Sequence, residues 1–508
     1  MKKNLIKGAV LALSLTLAMG LFAGCGGGDN GGDSDAARTD LKVAIDADYD
    51  TLHPSDWSSA AEHHVNAQIY DTLLRKSYED QTQLEPRVAE KWEISKDGKC
   101  YTFYLRDDVT FHDGSKLTAE DIGFTLDTYA ASKYQGAVVE GFDHYEIVDE
   151  YTIKVYTKDV YAPFLASMDQ MFIASKAYSE SASKEDFAQK PMGCGPYKFV
   201  EHKDGDTLTL EAYEDYYLGA PSIKTVTFKV ISDIAALGMG VQSGDYDFAE
   251  IDASVLSSLE GSDKIKTTTA TQTTFAFIAM NTEKEPYNNV KFRQAINYAI
   301  DRDSMVAAIQ EGQGMANSNL LTPDRQGYSD KQTQYSYDVD KAKALLKEAG
   351  VKEGTDLGTM YVAEQYKTMA EMVESNLKAV GLTVKIEILE FNAYLEKLSQ
   401  GDFGITCLQM SLEGDTQQVS MALCSEYIGM ANNARYSNPE IDALFEKAAA
   451  TIDDDERTEV YEEIFTIVQD EAVYAVMYNP TMLYAHNANL KLHTLPIEGV
   501  YYFYDFSW

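Results

Sequence analysis

The sequence predicts an alternating α/β protein built from more than one domain, and three observations carry that reading. Short runs of period-two alternation recur between amphipathic helical segments. Several of those helices stop on a glycine that leads into a strand, and the chain of 508 residues is too long for one hydrophobic core.

Leu41, Val43 and Ile45 alternate with polar residues as a first strand, which the break between Thr51 and Pro54 ends. Residues 65–74 follow as a helix with Val65, Ile69, Tyr70 and Leu73 as its apolar positions. Residues 100–106 alternate strictly, with Tyr101, Phe103 and Leu105 on one side, the pattern of a half-buried strand. Thr118, just ahead of Glu120 and Asp121, is an N-cap with acids in the first turn and opens the next helix. Strand signals return at 207–211 and at Val226, Phe228 and Val230. Residues 289–310 then read as one long amphipathic helix with Phe292, Ala295, Ile296, Ala299 and Ile300 on one face. Helices over 338–349 and 371–380 stop at Gly350 and Gly381, and the strand Val384, Ile386, Ile388 follows the second at once. Asn438 before Pro439 caps another helix, and 456–469 is the last long one.

The N-terminus is a processing segment and is set aside from the fold. Lys2, Lys3 and Lys7 precede an apolar stretch from Ala9 to Phe22 that is shorter than a membrane span, and Ala23-Gly24 lead into Cys25. Residues 1–24 therefore resemble a bacterial lipoprotein signal, with Cys25 as the lipidated new N-terminus; Phe22 stands where an aliphatic residue is usual. Residues 25–39 are the lipidated cysteine and a tether: five glycines and three aspartates in 26–37 cannot form a core and give a reach of about 20 Å. Removing residues 1–24, which hold three lysines and no acid, takes the formal charge from −38 to −41. A field of that sign argues against nucleic acid and anionic surfaces as partners. Of the remaining cysteines, Cys100, Cys194, Cys407 and Cys424, export permits three disulfide connectivities. Cys407 and Cys424 are the pair to test first, and unpaired buried thiols are the alternative. No CxxC or HExxH spacing suggests a metal site, and no cofactor is expected.

Ordered motifs then carry a resemblance over nearly the whole mature chain. Ile69-Tyr70-Asp71-Thr72-Leu73-Leu74, Leu84-Glu85-Pro86-Arg87-Val88-Ala89-Glu90-Lys91-Trp92 and Asp97-Gly98-Lys99-Cys100-Tyr101-Thr102-Phe103 are followed by Phe111-His112-Asp113-Gly114 and Leu117-Thr118-Ala119-Glu120-Asp121. Gly193-Cys194-Gly195-Pro196-Tyr197, Phe292-Arg293-Gln294-Ala295-Ile296 and Tyr436-Ser437-Asn438-Pro439-Glu440 continue the series. In order and spacing they resemble family 5 of the bacterial extracellular solute-binding proteins, which serve peptide and nickel ABC importers. Most of these residues have an architectural reading as well: Trp92 and Phe111 in the core, Asp113-Gly114 and His112 in a hydrogen-bonded turn, Arg293 in an ion pair.

The resemblance implies a two-lobed periplasmic-binding-protein-like fold (type II, cluster C) with an additional inserted domain. Lobe I would hold 40–76, 191–276 and 479–508, the inserted domain 77–190, and lobe II 277–478, with the ligand enclosed between lobes that rotate about two crossings. It implies a monomer that captures a di- or oligopeptide for permease and ATPase subunits, and the signal segment adds a lipid that ties it, outside the cytoplasm, to the outer face or the periplasmic side of the membrane. A metal chelate, haem, a glycoside or a peptide signal are the other solutes. A surface hydrolase is the alternative function, for which no GxSxG or Cys-His signature is visible.

Peptide capture needs a carboxylate for the ligand's ammonium, since a buried unpaired charge costs several kcal/mol. By position Asp415, in the loop after a strand over 403–410, matches the family's ammonium-binding aspartate. Ser411 and Leu412 replace the usual Gly-Trp before it, and Gln418-Val419 the usual Asp-Pro after it, which opens the question of ligand identity. Met410 and Leu412 flank this aspartate, and Trp57 and Tyr478 fall where the family lines its pocket with aromatic rings.

Overall fold

The computed structural model describes residues 38–508 apart from 79–82, 260, 413, 494 and 496–499; the signal segment, Cys25 and the tether lie outside the described residues. Three sheets organise the chain. The first has seven strands in the order Ile265–Thr271, Thr481–Asn487, Phe248–Ile251, Asp40–Ile45, Thr225–Val230, Thr207–Ala212, Tyr197–Lys203. Asp40–Ile45 runs parallel to both of its neighbours, with Val43 opposite Phe228 on one side and Phe248 on the other, while the remaining pairs are antiparallel. Its period-two pattern buries Leu41 and Val43 completely against Val226, Phe228 and the C-terminal rings of Tyr501 and Phe503.

The second sheet is antiparallel, ordered Ala89–Ile94, Cys100–Leu105, Thr152–Thr157, Phe142–Asp149. Tyr101, Phe103 and Leu105 turn inward as their spacing predicts and meet Ile122, Leu126 and Tyr129 of the helix Ala119–Ala131. Thr118 precedes that helix, its N–H and hydroxyl donating to Asp121 Oδ2 at 2.9 and 3.1 Å. The third sheet is ordered Met315–Ala316, Tyr474–Asn479, Thr274–Met280, Ile405–Ser411, and beside it Thr355–Ala363 and Leu382–Leu389 form a parallel pair. Helices Val290–Ala299, Lys367–Ala379 and Asp454–Asp470 contribute to one large apolar cluster with these strands.

The chain passes from the first sheet to the third at two adjacent places. Ile265–Thr271 leads into Thr274–Met280 across two residues, and Tyr474–Asn479 leads into Thr481–Asn487 across Pro480. Thr271 pairs with Thr481, and the Asn479 side-chain amide donates to the Thr274 carbonyl at 2.9 Å, so the two crossings are laced together.

Several local expectations change. The helix expected over 65–74 spans Ala60–Ile69, because Ser59 and Glu62 close a capping box upstream, and Leu74–Lys76 is a strand. The single helix expected over 289–310 is two, Val290–Ala299 and Arg302–Ile309. Ile300 is extended, and Asp301 caps the second helix, its own N–H bonded to Asn376 Oδ1 at 2.7 Å. Helix Lys367–Ala379 starts four residues before the expected 371. Cys407 and Cys424 are not bridged; Cys100, Cys194, Cys407 and Cys424 are all free thiols.

The seam between the first two sheets is dense with polar contacts. Asp71 Oδ2 accepts from the hydroxyls of Tyr216 and Tyr217 at 2.7 and 2.8 Å, and Arg75 pairs with Asp505 at 2.9 Å. His112 sits in the hydrogen-bonded turn expected of it: its backbone N–H donates to the Gly193 carbonyl at 3.0 Å and its ring Nε2 lies 3.0 Å from the Gly195 carbonyl. Arg293 donates to the Tyr287 and Glu471 carbonyls, an architectural role.

His64 gives the fold a pH dependence. It is 6% exposed and packs on Tyr501 with ring centroids 4.3 Å apart. Burial, and then the neighbouring His63, hold its pKa down at about 3. A histidine kept neutral by folding contributes stability that is complete above its unfolded pKa of about 6.5 and is lost as the pH falls toward the folded value. This side chain is expected to remove about 1.4 kcal/mol per pH unit below that point, or about 2–3 kcal/mol by about pH 4.5. Urea unfolding across this range checks it, and His64→Leu should flatten the slope.

Candidate functional site

Two adjoining cavities, of about 700 and 380 Å³, lie between the second and third sheets' domains. Lys76, Ala166, Gly414 and Asp415 line both, so Asp415 stands at their junction. The larger cavity is walled by Trp92, Ile94 and Leu165 on one side and by Arg325, Tyr328 and Arg457 on the other. The smaller one is more apolar on its third-sheet side, with Met410, Leu412 and Met421 facing Gln135, Tyr161 and Gln170.

Asp415 is held by its own local structure. Strand Ile405–Ser411 ends at Ser411, opposite Thr274, and Gly414 turns the chain with φ +86°, a region where a side chain would be strained. Asp415 then caps the turn Thr416–Val419, its Oδ1 accepting from the Gln417 N–H at 2.8 Å and from the Tyr461 hydroxyl at 3.2 Å. Burial and this carboxylate push the Tyr461 phenol well above its usual range, so it remains a donor. No described residue hydrogen-bonds Asp415 Oδ2, which leaves one carboxylate oxygen for a cation.

The structure brings together Asp415, Leu412 and Met410, and places Trp57 and Tyr478 elsewhere. Trp57 stacks on His63 with centroids 4.4 Å apart, and its carbonyl accepts from the side chain of Gln135, which itself lines the smaller cavity. Tyr478 is 1% exposed in the strand Tyr474–Asn479, its hydroxyl accepting from Gln409, and it lines neither cavity. Glu413, between the two loop residues of interest, lies outside the described residues.

Within the stretch expected to form lobe I, only Lys76 and Thr273 reach the cavities among the described residues. The chain 77–190 forms the opposing wall instead, because the segment after Thr152–Thr157 reaches across: the Ala162 N–H donates to the Ala449 carbonyl at 2.7 Å. Nearby, Gly98, with φ +69°, sits so close to Val160 and Ile452 that a Cβ would lie 2.9 and 3.1 Å from their side chains. Trp92, expected in the core, is half-buried and exposed to the larger cavity. Lys76, Arg325 and Arg457 had no sequence signal beyond their charge; Lys76 lies 3.7 Å from Asp169, and Arg457 pairs with Asp454.

Away from the cavities, Asp48, His202 and Asp204 bring potential metal-ligating atoms within 4.8 Å of one another. Asp48 already accepts from the Gly205 N–H at 2.7 Å and the Tyr49 N–H at 2.9 Å, and both its oxygens lie 3.0 Å from His202 Nε2. The trio is accounted for as a hydrogen-bonded turn. Among the described residues no helix is long and apolar enough to cross a membrane.

Two lobes joined by paired crossings, with two partly open cavities beside them and a carboxylate oxygen that no described residue engages, define a solute-binding protein. The chain belongs to family 5 of the bacterial extracellular solute-binding proteins, whose middle-region model matches residues 83–426. It is 27% identical over 464 residues to the dipeptide-binding protein of Escherichia coli K12, covering 84% of this chain and 86% of that one. It is 31% identical over 444 residues to heme-binding protein A of Haemophilus influenzae, covering 80% of each. Among solved structures, HbpA2 from Haemophilus parasuis superposes with a TM-score of 0.86 at 25% identity, over 92% of this chain and 99% of that one. These are families of binding proteins, with the two-lobed α/β fold that the ordered motifs imply.

Proposed function

We propose that the protein captures a short peptide for an ABC importer and holds it by its free amino terminus. The observation that carries this reading is the Asp415 carboxylate at the junction of the two cavities, one oxygen fixed by Gln417 and Tyr461 and the other uncommitted. An α-ammonium seated there exchanges its water for a charge-assisted hydrogen bond. Met410, Leu412 and Met421 offer adaptable apolar contact to a side chain, which suits a site that accepts many sequences. No bond of the ligand is altered: closure about the crossings at 271–274 and 479–481 traps it, and the closed form is what the permease and ATPase subunits read.

Lobe I comprises 40–76, 191–276 and 479–508, the inserted domain 77–190 and lobe II 277–478. The membership of the three sheets supports this division. The protein is a monomer, exported and anchored by a lipid on Cys25 at the outer face of the membrane. The charged n-region, short apolar stretch and small residues before Cys25 support this.

Haem is the second reading, favoured by the 31% identity to a heme-binding protein and by Met410, Met421 and Tyr161, side chains able to ligate haem iron, around the smaller cavity. Native mass spectrometry of protein purified without denaturation separates the two. Retained peptides that are recovered intact after incubation support peptide capture; a stoichiometric haem mass with a Soret band supports the second reading, and peptide cleavage would overturn both.

A further inference from the structure

Asp415 sits in a stretch of backbone that leaves its sheet just before it. The ladder to Thr274–Met280 ends at Ser411, and among the described residues Leu412, Gly414 and Asp415 pair with no strand before the turn Thr416–Val419. Backbone carbonyls in such a stretch need another partner if the loop is to hold one shape. Arg325 supplies it. Its Nη1 donates to the Leu412 carbonyl at 2.8 Å and its Nη2 to the Gly414 carbonyl at 3.2 Å, so one guanidinium holds two carbonyls of the loop. The segment that carries Arg325 is tied to the far side of the same loop, with the Thr416 hydroxyl donating to the Gln326 carbonyl at 2.9 Å. It is anchored in turn on the last long helix, where Gln326 Nε2 donates to Thr458 Oγ1 at 2.8 Å. Gly327, with φ +91°, allows the close approach: a Cβ there would lie 2.4 Å from Tyr461 Cβ.

We propose that Arg325 is a positioning residue for ligand recognition, fixing the Leu412 and Gly414 carbonyls so that Asp415 presents its second carboxylate oxygen to the ligand's amine. The inference rests on the reading of Asp415 as the ammonium site. Arg325 acts through the loop and not by touching the ammonium, since like charges would repel. The planar fork reaches two carbonyls two residues apart, which a lysine ammonium cannot do in one geometry. Without the fork the loop samples other shapes and the carboxylate must be ordered at the moment of binding, which lowers affinity with no contact to the ligand removed.

The test uses the full mature chain with Arg325→Met, Arg325→Lys and Asp415→Ala, and trialanine and N-acetyl-trialanine as probes. In ligand-free protein, Arg325→Met is expected to speed hydrogen exchange of the 412–417 amides about tenfold or more, with the melting temperature little changed. It should also weaken trialanine roughly tenfold, leave the acetylated probe nearly unaffected, and be non-additive with Asp415→Ala; Arg325→Lys should recover part of the loss. Unchanged exchange in Arg325→Met would overturn the proposal, whatever the probes do. So would full additivity of the two substitutions in trialanine binding. If Asp415→Ala binds trialanine as the wild type does while exchange in Arg325→Met is accelerated, the ammonium reading has failed and Arg325 orders the loop for some other purpose.

Discussion

Asp415→Ala is expected to weaken binding of peptides with a free amino terminus by about 2–5 kcal/mol, while N-acetylated peptides lose much less. The magnitude follows from what remains after truncation: an ammonium enclosed between two domains without its counter-charge, which costs more than the hydrogen bond itself was worth. Tyr461 sharpens the effect, because its hydroxyl, which donates to Asp415 Oδ1 at 3.2 Å, keeps a second acceptor in Gln417 Oε1 at 3.1 Å and so need not collapse into the vacated space. Calorimetric titration of free and acetylated forms of one peptide measures the difference. Equal affinity of the two proteins for free peptides would remove Asp415 from the site.

Gly193→Ala is expected to cost about 3 kcal/mol or more of stability, among the largest effects of any single methyl group in this chain. A Cβ at Gly193 would lie 2.0 Å from the Ile69 carbonyl oxygen and 2.7 Å from its carbon. Both are backbone atoms at the end of the helix Ala60–Ile69, so no flexible side chain can move aside. The same strand of chain is pinned from other directions: the Gly195 N–H donates to the Ile69 carbonyl at 2.9 Å, and the His112 N–H donates to the Gly193 carbonyl. Cys194 between the two glycines is fully buried in the apolar cluster that includes Tyr101 and Phe103 of the second sheet, so the segment cannot pivot out. Urea unfolding should show a lowered midpoint. An unfolding curve matching the wild type would mean that the helix end yields at little cost.

The elements that sequence periodicity identified best were those whose pattern is complete within a few residues. Cys100–Leu105 shows its burial alternation directly, and helices begin just after Thr118 and Asn438, where the side-chain chemistry places them. The differences came from competition between local signals. Apolar spacing continued through Ile300, yet Asp301 offered a better cap than a continued helix, and Ser59 with Glu62 drew the first helix upstream of its apolar stretch.

By itself the sequence determined the family, most of the succession of strands and helices, and the loop that carries Asp415, the carboxylate at the junction of the two cavities, because each depends on residues close together or on motifs in a fixed order. Tertiary structure alone decided what surrounds that carboxylate. Trp92 and Lys76 come from more than 300 residues upstream of Asp415, and Arg325 from 90 upstream, and no period or spacing in a single chain encodes such a meeting. It likewise put Tyr478 in the core and Trp57 behind Gln135, since which face of a strand or loop meets a cavity is settled by the packing of whole domains.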